Sequence, residues 1–225
     1  DNTAEAEVDF TNEYELRKGG LQIVKSVTVN GAATTKTLVD GDYTFTVTKK
    51  GTTEVVGTVT ITIKDGKSNK DTLEGLLPGT YVVHENETAN GISLVGENDK
   101  EVVITEGNYA TVKTVAFTNN KDVGKLKIKK NVTVNGEATT GTLADGTYTF
   151  IIKNKATGKE VEGKSPVTIT IKDGKSTEAV VEDLDPDTYI VSEDTAKNPN
   201  GTKLTTANNI EVVVAGGATA EVKTA

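Results

Sequence analysis

Apolar and polar residues alternate with a period of two along many short stretches of this chain. In residues 126–130, for example, Leu126, Ile128 and Lys130 share one parity, while Lys127 and Lys129 have the other. Successive side chains of a β-strand point to opposite faces, so this alternation predicts half-buried strands. The turn-forming pairs that separate such stretches include Asn30-Gly31, Asp40-Gly41, Asp65-Gly66 and Pro78-Gly79. No stretch shows a convincing helical period, and we predict an all-β fold.

An internal repeat divides the chain into two similar parts. Residues 21–31 return as 126–136, at an offset of 105 residues (126 − 21). Residues 61–68 return as 169–176 with every residue unchanged, at an offset of 108 (169 − 61). Self-similarity at a fixed period is the signature of tandem modules. Short strands separated by turns at this spacing favour a sandwich of two packed sheets in each module.

The repeat predicts two tandem Ig-like β-sandwich modules, at residues 21–120 and 121–225. The segment 1–20 precedes them and contains Val8-Asp9-Phe10-Thr11-Asn12, which matches Val115-Ala116-Phe117-Thr118-Asn119 at the end of the first module. We interpret residues 1–20 as the last strand of a preceding module, or a donated strand, followed by a linker.

Composition and charge exclude several classes of function. The formal net charge of −8 argues against a basic surface for nucleic acid, and no apolar run is long enough to span a membrane. The chain contains one His and no Cys, which rules out the usual zinc sites and Cys/His or Ser/His/Asp catalysis. We therefore expect no metal, no cofactor, and neither nucleic acid nor membrane as a partner.

Strand parity places several polar side chains on the apolar face. These residues are Lys25, Glu85 and Asn119 in the first module and Lys130 and Glu193 in the second. Lys and Glu are almost never fully buried unless they are paired. One interpretation is that each lies at a strand end and reaches water. The other is that they meet inside the sandwich, which is favoured because Lys and Glu recur at matching places in both modules.

A buried set of this kind could form a covalent bond. Burial lowers the pKa of a lysine and raises that of a carboxylic acid, because low dielectric disfavours each charged form. A neutral Lys25 amine could attack the side-chain amide of Asn119, while a protonated Glu85 polarises the carbonyl and transfers protons. The product would be a Lys–Asn isopeptide bond, formed once per molecule with loss of ammonia.

The order Leu-x-Ile-x-Lys, Tyr-x-Val-x-Glu and a closing Phe-Thr-Asn resembles the Cna-B-type isopeptide domains of Gram-positive pilins and surface adhesins. It is especially similar to the two-module major pilins of streptococci, over nearly the whole chain. The resemblance implies an autocatalytic Lys–Asn bond between the first and last strands, with the Glu as catalyst. Carried over residue by residue, this gives Lys25, Glu85 and Asn119 in the first module, and Lys130 and Glu193 in the second.

The second module departs from this pattern because it has no closing Asn. Residues 112–114 match 222–224 at an offset of 110 (222 − 112), so the counterpart of Asn119 would fall at position 229, after Ala225. One explanation is that the sequence was cut from a longer array. The other is that residues 5–12 of a neighbouring repeat or chain complete the second module, and that Asn12 then reacts with Lys130.

These features predict a structural stalk or shaft segment of a pilus or wall-anchored adhesin on the bacterial surface. Its only chemistry would be single-turnover cross-linking, so we do not expect an enzyme. The alternative is an adhesive module that binds a host glycan or matrix protein through its loops.

Overall fold

The chain folds into two compact units, as seen in a computed structural model that describes residues 7–88 and 91–222. The first unit holds the chain through Thr28 together with Ala33–Asn119. The second holds Val29–Ala32 and the chain from Asn120 onward. No helix among the described residues is long and apolar enough to cross a membrane.

Both units consist of β-strands, which confirms the predicted all-β class. The described residues include three 3-10 helices, Thr37–Val39, Asn108–Thr111 and Thr195–Lys197. The strands are β1 (Gly19–Val29), β2 (Ala32–Ala33), β3 (Gly41–Lys49), β4 (Val55–Ile63), β5 (Asn69–Leu76), β6 (Gly79–Glu85), β7 (Ile92–Leu94), β8 (Asp99–Ile104), β9 (Lys113–Lys121), β10 (Gly124–Lys130), β11 (Thr133–Val134), β12 (Glu137–Ala138), β13 (Gly146–Asn154), β14 (Val167–Ile171), β15 (Thr177–Leu184), β16 (Asp187–Glu193), β17 (Ile210–Val214) and β18 (Thr219–Glu221).

The first unit is a sandwich whose sheets enclose an aliphatic and aromatic core. One sheet has the order β4-β3-β6-β8. In the other, β1 pairs with β5 and with β9, and β9 also pairs with β7. The hydroxyl groups of Ser26 and Thr118 are hydrogen-bonded at 2.7 Å, and the Thr28 hydroxyl donates to the Asn119 carbonyl oxygen at 3.3 Å. Because residue numbers rise together along the two strands, β1 and β9 run in the same direction. The first and last long strands of the unit are therefore direct neighbours.

The second unit repeats this plan over its described residues. One sheet has the order β14-β13-β16-β17 and the other the order β15-β10-β18. β18 lies parallel to β10 and pairs Lys125–Lys127 with Thr219–Glu221. It is three residues long, whereas β9 has nine. The sequence interpretation gave this module no last strand, and the structure contains the beginning of one.

The identical segments 61–68 and 169–176 contain the same Asp-Gly turn, held in the same way in both units. In the first unit the Asp40 carboxylate accepts hydrogen bonds from the backbone N–H groups of Asp65 and Gly66, at 2.7 and 2.9 Å. Gly66 has φ +64°, and a Cβ there would lie 2.1 Å from the Thr34 carbonyl oxygen, so only glycine fits. Asp145 makes the same two bonds in the second unit, at 2.7 and 2.9 Å.

The segment before β1 forms no strand over the described residues 7–18. Val8 and Phe10 are 72% and 89% exposed. Residues 5 and 6, part of the expected donated strand, lie outside the described residues. At the start of β1, the buried Asn108 side chain binds the backbone of Gly20. It accepts a hydrogen bond from the Gly20 N–H at 2.8 Å and donates one to the Gly20 carbonyl oxygen at 3.1 Å.

Candidate cross-linking sites

The first site lies where three strands of the first unit bring polar side chains into its core. β1 presents Lys25, β6 presents Glu85 and β9 presents Asn119, each at the parity of its apolar neighbours. Lys25 and Asn119 are 0% exposed and Glu85 is 1% exposed. The structure thus brings together the three residues of the first predicted set, with both sheets covering them.

Lys25 is the centre of this buried group. Its Nζ donates a hydrogen bond to Asn119 Oδ1 and lies 3.1 Å from Glu85 Oε1. The ring of Tyr43 lies 4.6 Å from the same nitrogen, measured to the ring centroid. Among the described residues, Glu85 Oε2 and Asn119 Nδ2 have no hydrogen-bond partner, while Glu85 Oε1 has the ion-pair contact with Lys25. Buried polar groups left unpaired destabilise a fold, so the unreacted arrangement carries a cost that a reaction could remove.

Burial sets the electrostatics of this group. It lowers the pKa of Lys25 to about 8, while Glu85 acts in the opposite direction and Lys100 lowers it further. A lysine with a pKa near 8 is about one-tenth neutral at pH 7, against about one part in 3,000 at the ordinary value. Burial, Glu85 and Asp40 also raise the pKa of Tyr43 to about 12, so its phenol stays protonated.

This geometry supports an acyl transfer between two side chains. Attack by an amine on an amide is very slow in water, but holding both groups in contact is worth an effective molarity of roughly 10⁵–10⁸ M. The amine of Lys25 touches the amide oxygen of Asn119, and a carboxyl group stands beside the amine to move protons. The site therefore holds the three kinds of group that such a reaction would need: an amine, an amide and a carboxyl group.

The second unit contains the same pairing of Lys, Glu and Tyr. Lys130 Nζ donates to Glu193 Oε2 at 2.7 Å and lies 4.3 Å from the centroid of the Tyr148 ring. Sequence reasoning missed the two tyrosines, although the repeated Asp-Gly-x-Tyr-Thr-Phe motif at Tyr43 and Tyr148 was the available signal. In each unit the aromatic face lies against the lysine ammonium, an arrangement that attracts a cation.

The amide partner distinguishes the two sites. Within the described residues, no hydrogen bond joins Lys130 to a side-chain amide, and the Lys130 side chain is 12% exposed. Glu193 is instead held by two asparagines that sequence reasoning did not identify. Asn198 Nδ2 donates to Glu193 Oε1 at 2.6 Å, and the Asn208 side chain bonds both backbone groups of Glu193, at 2.8 and 3.0 Å. Asn12 is exposed in the segment before β1, and its pairing with Lys130 stays a prediction.

Comparisons with known proteins gave matches only among solved structures. No protein-family model matches this chain. No curated protein matches it either. One similar structure is the Bacillus anthracis TIE protein, with 20% identity, a TM-score of 0.40 and coverage of 92% of this chain. This chain spans about a third of that protein's chain, 34%.

Two further similar structures are pilins. The major pilin protein T3.2 of Streptococcus pyogenes has 19% identity and a TM-score of 0.48, with coverage of 92% of this chain and 98% of the pilin. The shaft pilin SpaA of Lactobacillus rhamnosus GG has 14% identity and a TM-score of 0.44, with coverage of 92% and 97%. The class of protein named by the sequence resemblance is therefore among the structures that this chain is similar to.

Proposed function

We propose that this chain is a structural shaft segment of a bacterial surface pilus or wall-anchored adhesin, and that its first unit is locked by an isopeptide bond between Lys25 and Asn119. The observation that carries the proposal is the contact of Lys25, Glu85 and Asn119 in a fully buried position between the first and last strands of the unit. The sequence resemblance to Gram-positive pilins and adhesins supports the surface location.

The proposed reaction needs no external reactant. The neutral amine of Lys25 attacks Cγ of Asn119, and the bond from Cγ to Nδ2 breaks. Glu85 accepts a proton from the lysine nitrogen and delivers a proton to the leaving nitrogen, so ammonia departs and the carboxyl group ends as it began. The new amide removes a buried charge and the unpaired amide group, and the reaction happens once. This suits a maturing structural protein rather than an enzyme with turnover.

The position of the bond suits a load-bearing role. Lys25 and Asn119 are 94 residues apart in sequence and lie on the neighbouring strands β1 and β9. A force applied along the chain would pass from β1 through the new bond into β9. The intervening residues, which form most of the sandwich, would carry none of it. A covalent bond at this point therefore makes a nearly inextensible shaft element.

Intact-mass measurement of the purified chain tests the cross-link. We expect the mass to be one ammonia below the sequence value, with peptide mapping placing the loss between Lys25 and Asn119. Glu85→Gln and Asn119→Ala should each restore the full mass of their sequences. Glu101→Gln is the matched control, because that glutamate lies on the neighbouring strand β8 with 56% of its side chain exposed, and it should keep the loss. A wild-type chain at full mass would refute the cross-link.

A further inference from the structure

A lysine on the strand β8 is directed into the first sandwich. Among the described residues β8 ends the sheet order β4-β3-β6-β8, and its residues Val102 and Ile104 are buried. Lys100 has the same parity as these two residues. It lies directly opposite Val83 of β6, which is fully buried. Opposite residues of an antiparallel pair have their side chains on the same face, so Lys100 points to the core side.

The Lys100 side chain reaches β9 in the other sheet of the sandwich. Its Nζ donates a hydrogen bond to the Ala116 carbonyl oxygen at 2.5 Å and lies 4.7 Å from the centroid of the Phe117 ring. An ammonium group over an aromatic face is attracted to it. Phe117 is buried and comes two residues before Asn119, so both share one face of β9. Lys100 therefore holds the part of β9 that leads to the Asn119 amide.

The charge of Lys100 also acts on Lys25. Burial is the main cause of the lowered pKa of Lys25, Glu85 acts against it, and Lys100 lowers the pKa further. The titratable groups that contact the Lys25 amine are Glu85 of β6 and Tyr43 of β3, and the Tyr43 phenol is neutral because its pKa is about 12. Two ammonium groups near each other repel, which favours the neutral form of the buried one. This repulsion would vanish with the cross-link, since an amide nitrogen carries no charge.

The second unit has a different residue at the position of Lys100. Val191 of β16 pairs with Ile210 of β17, as Val83 of β6 pairs with Lys100 of β8. Ile210 packs against the apolar core of its unit, so a sandwich of this plan does not require a lysine there. A lysine that points inward from an edge strand also discourages pairing with other chains. That role, however, requires no contact with β9.

We propose that Lys100 is a positioning residue for the reaction between Lys25 and Asn119. Its hydrogen bond to the Ala116 carbonyl oxygen holds β9 where the Asn119 amide contacts Lys25. Its positive charge favours the neutral Lys25 amine, which is the form that attacks. This role rests on the cross-link proposed above. Lys100 would increase the rate of the reaction and leave its product unchanged.

The rate can be measured on the full chain if the Lys25 amine is blocked until a chosen time. A photocaged lysine at position 25 gives a chain that cannot cross-link. Light removes the cage in urea, where the chain is unfolded, and the chain is then diluted into buffers from about pH 6 to pH 10. Intact mass follows the loss of one ammonia with time. Tyrosine fluorescence follows folding in the same samples, since the chain has no Trp, and so tells slow folding apart from a slow reaction.

For the wild-type sequence we expect a rate that rises with pH and is half-maximal near pH 8. Lys100→Met removes the charge and the hydrogen bond. Its half-maximal pH should be higher, and its rate at pH 7 should fall at least about threefold, which corresponds to half a pKa unit. Lys100→Arg keeps the charge and should keep the wild-type half-maximal pH. Lys50→Met is the matched control, because Lys50 is 52% exposed and pairs with Glu101 on the outer face of β8, and it should leave the profile unchanged.

A second substitution guards against a variant that fails to fold. Lys100→Ile introduces the residue that the second unit has at this position, and it should shift the profile as Lys100→Met does. Profiles of both variants identical to that of the wild type would overturn the proposal. A rate lowered by the same factor at every pH would overturn the effect of the charge. A wild-type chain that never loses ammonia would instead refute the cross-link on which this role rests.

Discussion

Pulling on the two ends of the chain gives a length measurement that depends directly on the Lys25–Asn119 bond. The bond would close a segment of 94 residues, since that number separates the two positions in sequence. An extended chain spans about 3.3–3.6 Å per residue, so the bond would prevent about 310–340 Å of contour length from extending under force. The two side chains touch in the folded unit, so almost all of that length appears when an unlinked unit unfolds. We predict that Glu85→Gln gains an unfolding step of this size.

The assay is single-molecule force spectroscopy with handles at both ends of the chain. The second unit serves as an internal reference, because it should extend in both proteins and mark each trace as a single complete molecule. Glu101→Gln again provides the matched control, with the same chemical change at an exposed position. Its traces should be those of the wild type, without the extra step.

Contour length separates the cross-link from a simple loss of stability. A weaker fold lowers the force at which a unit opens, but the number of residues released stays the same. A wild-type trace that already releases the additional 310–340 Å would refute the cross-link. A Glu85→Gln trace with no additional length would refute the role of Glu85, even if the wild-type chain were linked.

Two further predictions concern stability. The variant Asn119→Ala cannot cross-link, so Lys25 keeps its amine. Because the pKa of Lys25 is about 8 in the folded state and 10.5 ordinarily, the unfolded state binds more protons than the folded state between these pH values. Because Lys25 is fully buried, the free energy of unfolding of this variant, measured with urea, should rise by about 2 kcal/mol from pH 8 to pH 10, relative to the change in the cross-linked wild type. The same pH dependence in both proteins would contradict this. In the Glu85→Gln background, Phe117→Ala should lower the free energy of unfolding by about 3–5 kcal/mol, because the Phe117 side chain is fully buried; an unchanged midpoint in urea denaturation would contradict this.

Much of the fold could be predicted because strand parity is a local property of the backbone. Alternation alone places Lys25 with Leu21 and Ile23 on one face of β1, whatever the rest of the chain does. The tyrosine beneath each lysine could not be predicted in this way. Tyr43 lies on β3 in the opposite sheet from Lys25, and the distance between two sheets depends on packing that no periodic pattern records.

The environment of Glu193 was harder to predict for a different reason. Asn198 and Asn208 come from the connection between β16 and β17, where the chain has no alternation to assign a face. The short β18 was missed because three residues are too few to show a period. Irregular segments are positioned by their hydrogen bonds with the finished fold, so their contacts become visible only in three dimensions.

In the first unit the last strand supplies more than an amide. In the first unit β9 brings Asn119 and also covers the site with Phe117, and the Lys25 side chain is 0% exposed. In the second unit, whose last described strand is Thr219–Glu221, the Lys130 side chain is 12% exposed. Exclusion of water is what lowers the pKa of a buried lysine and makes its amine nucleophilic. In the first unit the strand that presents Asn119 therefore also excludes water from Lys25, and both effects would favour the proposed attack by its amine.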